Sequence, residues 1–131
     1  MKKDRIIIGI SGASGVTYGI RLLKFLQNTP IETHLIMSKS AEITLAYEST
    51  MKVSDVKNLA DVTHNVKDIA ACLSSGSYRT LGMIIAPCSV KTMSEISSGM
   101  TSSLLTRAAD VVLKEQRKLV LMVRETPLHT G

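Results

Sequence analysis

Apolar positions change their spacing repeatedly along the chain, and each change marks an element. Arg5–Ile10 is a continuous β-branched run ending among glycine and serine, the pattern of a buried strand. Thr17–Gln27 carries Ile20, Leu23, Phe25 and Leu26 at helical spacing, and Pro30 stops it. Glu32–Met37 reads as a second strand. Ser38 then stands where a helix cap belongs, and Lys39–Glu48 is the helix it opens. Ser54–Leu59 reads as a short helix capped by Ser54. Val66–Leu73 reads as another, broken by Ser74-Ser75-Gly76-Ser77. Leu81–Ala86 is a strand that ends at Pro87. Ser89–Ser97 and Ser102–Arg117 are helices parted by Gly99, and Leu119–Val123 is a last strand followed by Arg124-Glu125-Thr126-Pro127.

Strands that alternate with helices pair in parallel through right-handed crossovers. These strands are apolar throughout, as strands covered on both faces must be. The pattern predicts an α/β fold, a doubly wound parallel sheet in one domain over residues 1–131, with no internal repeat and no linker. Such sheets take ligands beyond the carboxyl ends of their strands. Four of those ends are Ser11–Gly15, Ser38-Lys39, Cys88–Thr92 and Arg124-Glu125, and all should converge on one rim.

Composition narrows what could bind there. The chain has 131 residues, a 44% hydrophobic fraction and a formal net charge of +5. Its basic residues are scattered and only 3% of its residues are aromatic, which disfavours a stacking surface for nucleic acid and favours small anionic ligands. Cys72 and Cys88 form no CxxC pair and no disulfide framework. No signal peptide precedes the first strand and no apolar run approaches a membrane span, so a reducing cytoplasm is expected.

The stretch GISGASGVTYG, residues 9–19, is not the dinucleotide fingerprint, because Ser11 replaces a required glycine, and it is not a P-loop. Its small residues, amides and helix start suit an anion; they equally suit close packing of helix on strand. Ser89-Val90-Lys91-Thr92 could hold a phosphate or a ring edge, although Ser89 alone reads as a plain cap. Cys88 has no histidine near it in sequence and reads as a structural thiol. Arg107 and Lys114 share a helix face with Asp110, which can pair with Arg107; a solvated charged face is the simpler reading. Arg124 and Glu125 follow a buried strand at the rim, where charges point to function. His34, His64 and His129 lack metal-ligand spacing, His34 reading as a packed or surface strand residue, and Met37, Met83 and Met122 read as core filler.

Taken in order, GISGASGVTYGIRLL, LIMSKSAEITLAYE, SSGSY, APCSVKT and LLTRAADVVLKEQRKLVLMVRETPLH resemble the UbiX-like flavin prenyltransferases, including the small B subunits of hydroxyarylic acid decarboxylase systems. The resemblance covers essentially the whole chain. It implies a Rossmann/flavodoxin-like sheet and a dodecamer with sites between subunits. It also implies prenylation of reduced FMN at N5 and C6 by dimethylallyl phosphate, no metal, and delivery of the product to a UbiD-type decarboxylase.

Residue by residue, the resemblance implies that Gly12, Ala13, Ser14, Ser38, Ser89, Val90, Lys91, Thr92 and Arg124 contact FMN. It implies that Arg107, Lys114 and Arg124 hold the prenyl phosphate, and that Ser14, Glu48 and Glu125 handle protons. On this reading Ser11–Gly15 are small because a flavin lies against them. Family members continue past the RETPL block with a further strand and helix, whose tyrosine and arginine complete the phosphate pocket; the sequence here ends at Gly131, as a fragment or a truncated product. Two other functions stay open: an FMN carrier or accessory subunit without catalysis of its own, and an FMN-dependent cysteine decarboxylase. The second is disfavoured because the early loops lack the histidine those enzymes use.

Overall fold

Ile6, Ile7 and Ile8 cannot all face one side of a strand, so β1 (Arg5–Ile10) needs apolar cover on both faces and takes the centre of the sheet. The structure, a computed structural model, describes residues 4–125. After β1 come α1 (Val16–Leu26), β2 (Glu32–Met37), α2 (Lys39–Glu48), α3 (Val53–Lys57) and β3 (Val62–His64). A 3-10 turn at Cys72–Ser74 leads to β4 (Gly82–Ser89), α4 (Val90–Ser97), α5 (Leu104–Lys114) and β5 (Lys118–Arg124). Among the described residues the five strands are parallel, in the order β3-β2-β1-β4-β5.

Alternation along β1 sends Ile8 and Ile10 into one cluster with Leu23, Leu35 and Leu45, under α1 and α2. Ile7 enters the opposite cluster with Met83, Ile85, Leu104 and Ala108, under α5. Together they form the doubly wound parallel sheet that the pattern predicts.

Several expectations need correction. Val66–Leu73 is not a helix. The Asn65 side chain accepts the Lys67 amide at 2.9 Å and the Asp68 side chain accepts the Ala70 amide at 3.3 Å, so local side-chain bonds replace helical ones. β3 was not foreseen; it is three residues long and half-exposed. α3 is not capped by Ser54, which lies inside it. The Asp55 carboxylate instead holds the Lys52 amide at 3.0 Å.

β4 does not end at Pro87 but runs to Ser89 through a register irregularity between Ile85 and Cys88, where a residue without an N–H is tolerated. α5 is shorter than Ser102–Arg117: Ser103 caps it, and Gln116 at φ 57 turns the chain out of it. Nor is β5 covered on both faces, since Val120, Met122 and Val123 are exposed among the described residues, so Met122 is not core filler.

Candidate functional site

Parallel strands place their carboxyl ends on one rim, and the four predicted ends lie there. Close contacts join them. An added Cβ at Gly12 would lie 2.6 Å from the Ser40 Oγ, Ser89 pairs with Arg124 in the β4–β5 register, and a Cβ at Gly15 would lie 3.2 Å from the Arg124 Cδ.

Packing inside the protein by itself calls for small residues in part of the first loop. Ser11, Gly12 and Ala13 are buried within the protein, and Gly12 is small because Ser40 packs against it. Gly15 sits at φ 98, a left-handed conformation that disfavours other residues. Only Ser14 and Gly15 reach the surface. The start of α1 is also not an open anion site. Glu48 Oε1 accepts the Gly15 and Val16 amides at 3.0 and 3.2 Å, while Oε2 accepts the Ser14 hydroxyl at 3.1 Å. The Ser14 amide donates to the Glu125 backbone carbonyl at 2.9 Å, which ties the Glu125 main chain to the Ser14–Glu48 pair.

The remaining helix starts converge. Ser38 caps α2 by accepting the Ala41 amide at 3.0 Å, Ser89 caps α4 by accepting that of Thr92 at 3.2 Å, and Ser103 caps α5 by accepting that of Thr106 at 3.4 Å. All three serines line one cavity of about 360 Å³, with Lys39, Lys91 and, among the described residues, a single carboxylate, Glu95. Three positive helix ends and two ammonium groups make it favourable for an anion. Two larger grooves, of about 540 and 570 Å³, lie around Arg79 and Thr80 at the opposite end of the sheet. There Arg5 and Arg117 are engaged with the backbone carbonyls of Arg79, Tyr78 and Gly76.

Arg124 extends over the start of α1, its guanidinium 5.3 Å from the centre of the Tyr18 ring. The structure does not gather all three predicted phosphate-binding cations. Arg107 is exposed on the first turn of α5, next to the cavity-lining Thr106. Lys114 is in the last turn, far from the rim, and it, not Arg107, pairs with Asp110 at 2.9 Å. Cys88 is fully buried and burial pushes its thiol up to about 11, which leaves it protonated and structural. His34 is buried and bonded to Glu32 and His64, and His129 lies outside the described residues. Sequence reasoning missed Ser40, Ser103 and Thr106. The Ser-x-x-Thr spacing before an apolar helix was the available signal for the last two.

The Flavoprotein family profile matches residues 1–129. Flavin prenyltransferase UbiX of Escherichia coli K12 is 62% identical over 128 residues, spanning 97% of this chain and 68% of the relative. The chain belongs to the UbiX-like flavin prenyltransferases. Among solved members, AnUbiX in complex with FMN and dimethylallyl pyrophosphate superposes with a TM-score of 0.93 at 50% identity, covering 98% of this chain and 68% of that one. A dodecameric FMN-dependent UbiX-like decarboxylase from Escherichia coli O157:H7 gives 0.91 at 52% identity, covering 96% and 69%. Like these UbiX-like proteins, the chain is a flavodoxin-like parallel sheet. No helix among its described residues is long and apolar enough to cross a membrane.

Proposed function

We propose that the chain transfers a dimethylallyl group from dimethylallyl phosphate to reduced FMN, giving prenylated FMN for a UbiD-type aromatic-acid decarboxylase. The observation that carries this reading is the cavity of capping serines and lysines, whose Ser89 pairs with Arg124 across β4 and β5, in a chain 62% identical to a flavin prenyltransferase. The donor set fits FMN: helix ends, hydroxyls and ammonium groups suit its phosphate and ring edges, and Ser14 and Gly15 leave the α1 side accessible. When bound, reduced FMN supplies the N5 and C6 positions that accept the allyl group.

The roles follow from chemistry. Ser38 and Ser89 through Thr92 bind the flavin, while Gly12 and Ala13 set the backbone path beneath it. Breaking the allylic C–O bond leaves the electron pair on the phosphate, and Arg124 stabilises that charge. Ser14 and Glu48 are already joined by a hydrogen bond, so a proton received at the Ser14 oxygen can pass to the carboxylate; Glu125, whose backbone carbonyl accepts the Ser14 amide, is the third proton-handling residue of the reading. Arg107 and Lys114 would serve the phosphate of a neighbouring copy in a dodecamer like that of the relative. A cytoplasmic setting suits two free cysteines.

Incubating the protein with reduced FMN and dimethylallyl phosphate should yield a flavin heavier by one C5H8 unit in mass spectrometry. Bound flavin of unchanged mass would overturn the transferase reading. The separation of Lys114 from the rim favours one second reading, an FMN carrier for the decarboxylase, and that outcome would support it.

A further inference from the structure

We propose that Ser11 is a positioning residue that locks the two ligand-facing loops of the rim to each other. The inference rests on the flavin reading above. Ser11 is 1% exposed and would touch no ligand. Its hydroxyl donates to the Pro87 carbonyl at 2.9 Å and accepts the Ser89 amide at 2.7 Å. Its own amide donates to the same Pro87 carbonyl at 3.1 Å.

The place of these bonds gives them their meaning. β1 and β4 are in register only from Ile7–Met83 to Gly9–Ile85. Beyond Ile85 the strand becomes irregular, and Pro87 has no N–H to donate. The Ser11 hydroxyl bridges the strands where the ladder stops. Its partner amide belongs to Ser89, whose side chain caps α4 and whose neighbours Lys91 and Thr92 line the cavity. The Ser11 amide and hydroxyl both hold the Pro87 carbonyl, and the hydroxyl alone extends the link to Ser89, fixing where the Ser89–Thr92 loop starts relative to the Ser11–Gly15 loop. Without it the Ser89 amide is buried and unpaired, and the chain can recover that bond only by moving the loop.

The test compares S11A, S11T and L26A in the full chain. L26A opens the core at the far end of α1 and controls for general destabilisation. Two quantities are read: the FMN dissociation constant with the visible circular dichroism of bound flavin, and hydrogen exchange at the Ser89 amide without flavin. S11A should raise the dissociation constant at least tenfold, alter the dichroism and speed Ser89 exchange at least tenfold. S11T should restore all three to within threefold of the parent, and L26A should leave flavin binding unchanged. If S11A does not fold, S11C, of similar size but with a poor acceptor, should show the same losses. The proposal is overturned if the variant lacking the hydroxyl binds flavin like the parent, or if L26A weakens binding equally. A parent protein that fails to bind FMN refutes the flavin reading and the proposal's binding half; unchanged Ser89 exchange refutes the Ser11 link by itself.

Discussion

At the scale of single residues, the site is built from positions with no spare volume. Gly12 is the clearest. A methyl group there would sit 2.6 Å from both the Cβ and the Oγ of Ser40, and 3.0 Å from its backbone carbon. Ser40 cannot swing away, because its backbone is part of the clash. Gly12→Ala should cost about 1–3 kcal/mol, the range for overpacking, measured by urea unfolding; an unchanged midpoint would show that the first turn of α2 yields. Arg124 makes the opposite kind of contribution, since it is exposed and its value lies in what it binds. Arg124→Ala should weaken dimethylallyl phosphate binding by about 2 kcal/mol, the scale of a charge-assisted hydrogen bond, measured by calorimetry on the FMN-loaded protein. Equal affinity would remove Arg124 from the phosphate site. Ser38 and Ser89 were legible as caps because each directly follows an apolar strand and precedes a helix. Ser103 was not, because Ser102 and Ser103 blur where their helix begins.

At the scale of elements, β1, β2 and α2 were readable to the residue, since burial on both faces or a sharp cap leaves no alternative register. β3 was not, because three half-exposed residues carry no periodicity and its partner decides it. That partner is β2, and the join includes an unusual contact. His34 Nε2 lies 2.7 Å from Glu32 Oε1, and a carboxylate only accepts, so this nitrogen carries the proton. Nδ1 is then the acceptor, and His64 Nε2, 2.9 Å away, donates to it. Tyr78 Oη completes the surroundings of His34 at 3.5 Å. Burial first, and then the neighbouring His34, hold the His64 pKa below its usual 6.5, against the opposing pull of Asp68. The unfolded chain therefore binds more protons in the window below 6.5. Stability is fully present above that window and is lost as pH falls through it. Urea midpoints measured downward from pH 6.5 should decline, and the decline should be shallower in His64→Gln. Parallel profiles for the two proteins would exclude His64 as the cause.

Across the whole molecule, the sheet divides the core into two clusters that share only the strands, and the rim loops connect their two sides. The legibility of the sequence follows the same division. Central strands and the helices covering them are dictated by burial, whereas the outer strands β3 and β5 of the described sheet and the segment between β3 and β4 depend on local polar bonds and on neighbours. The two cysteines report on this difference. Cys72 is exposed, while Cys88 lies in the cluster beneath α5, paired with Val123 of β5. Reaching its sulfur requires displacement of α5 as well as β5. Burial raises its pKa from 9.0 to about 11, so little thiolate exists near neutral pH even in an opened form that keeps it covered. A thiol reagent at neutral pH should modify Cys72 quickly and Cys88 only through an opening that exposes the core, with a rate that rises with urea in parallel with global unfolding. Modification of Cys88 at a rate insensitive to urea would mean that β5 and α5 detach as a local unit, and that the α5 side of the sheet opens separately from the rest.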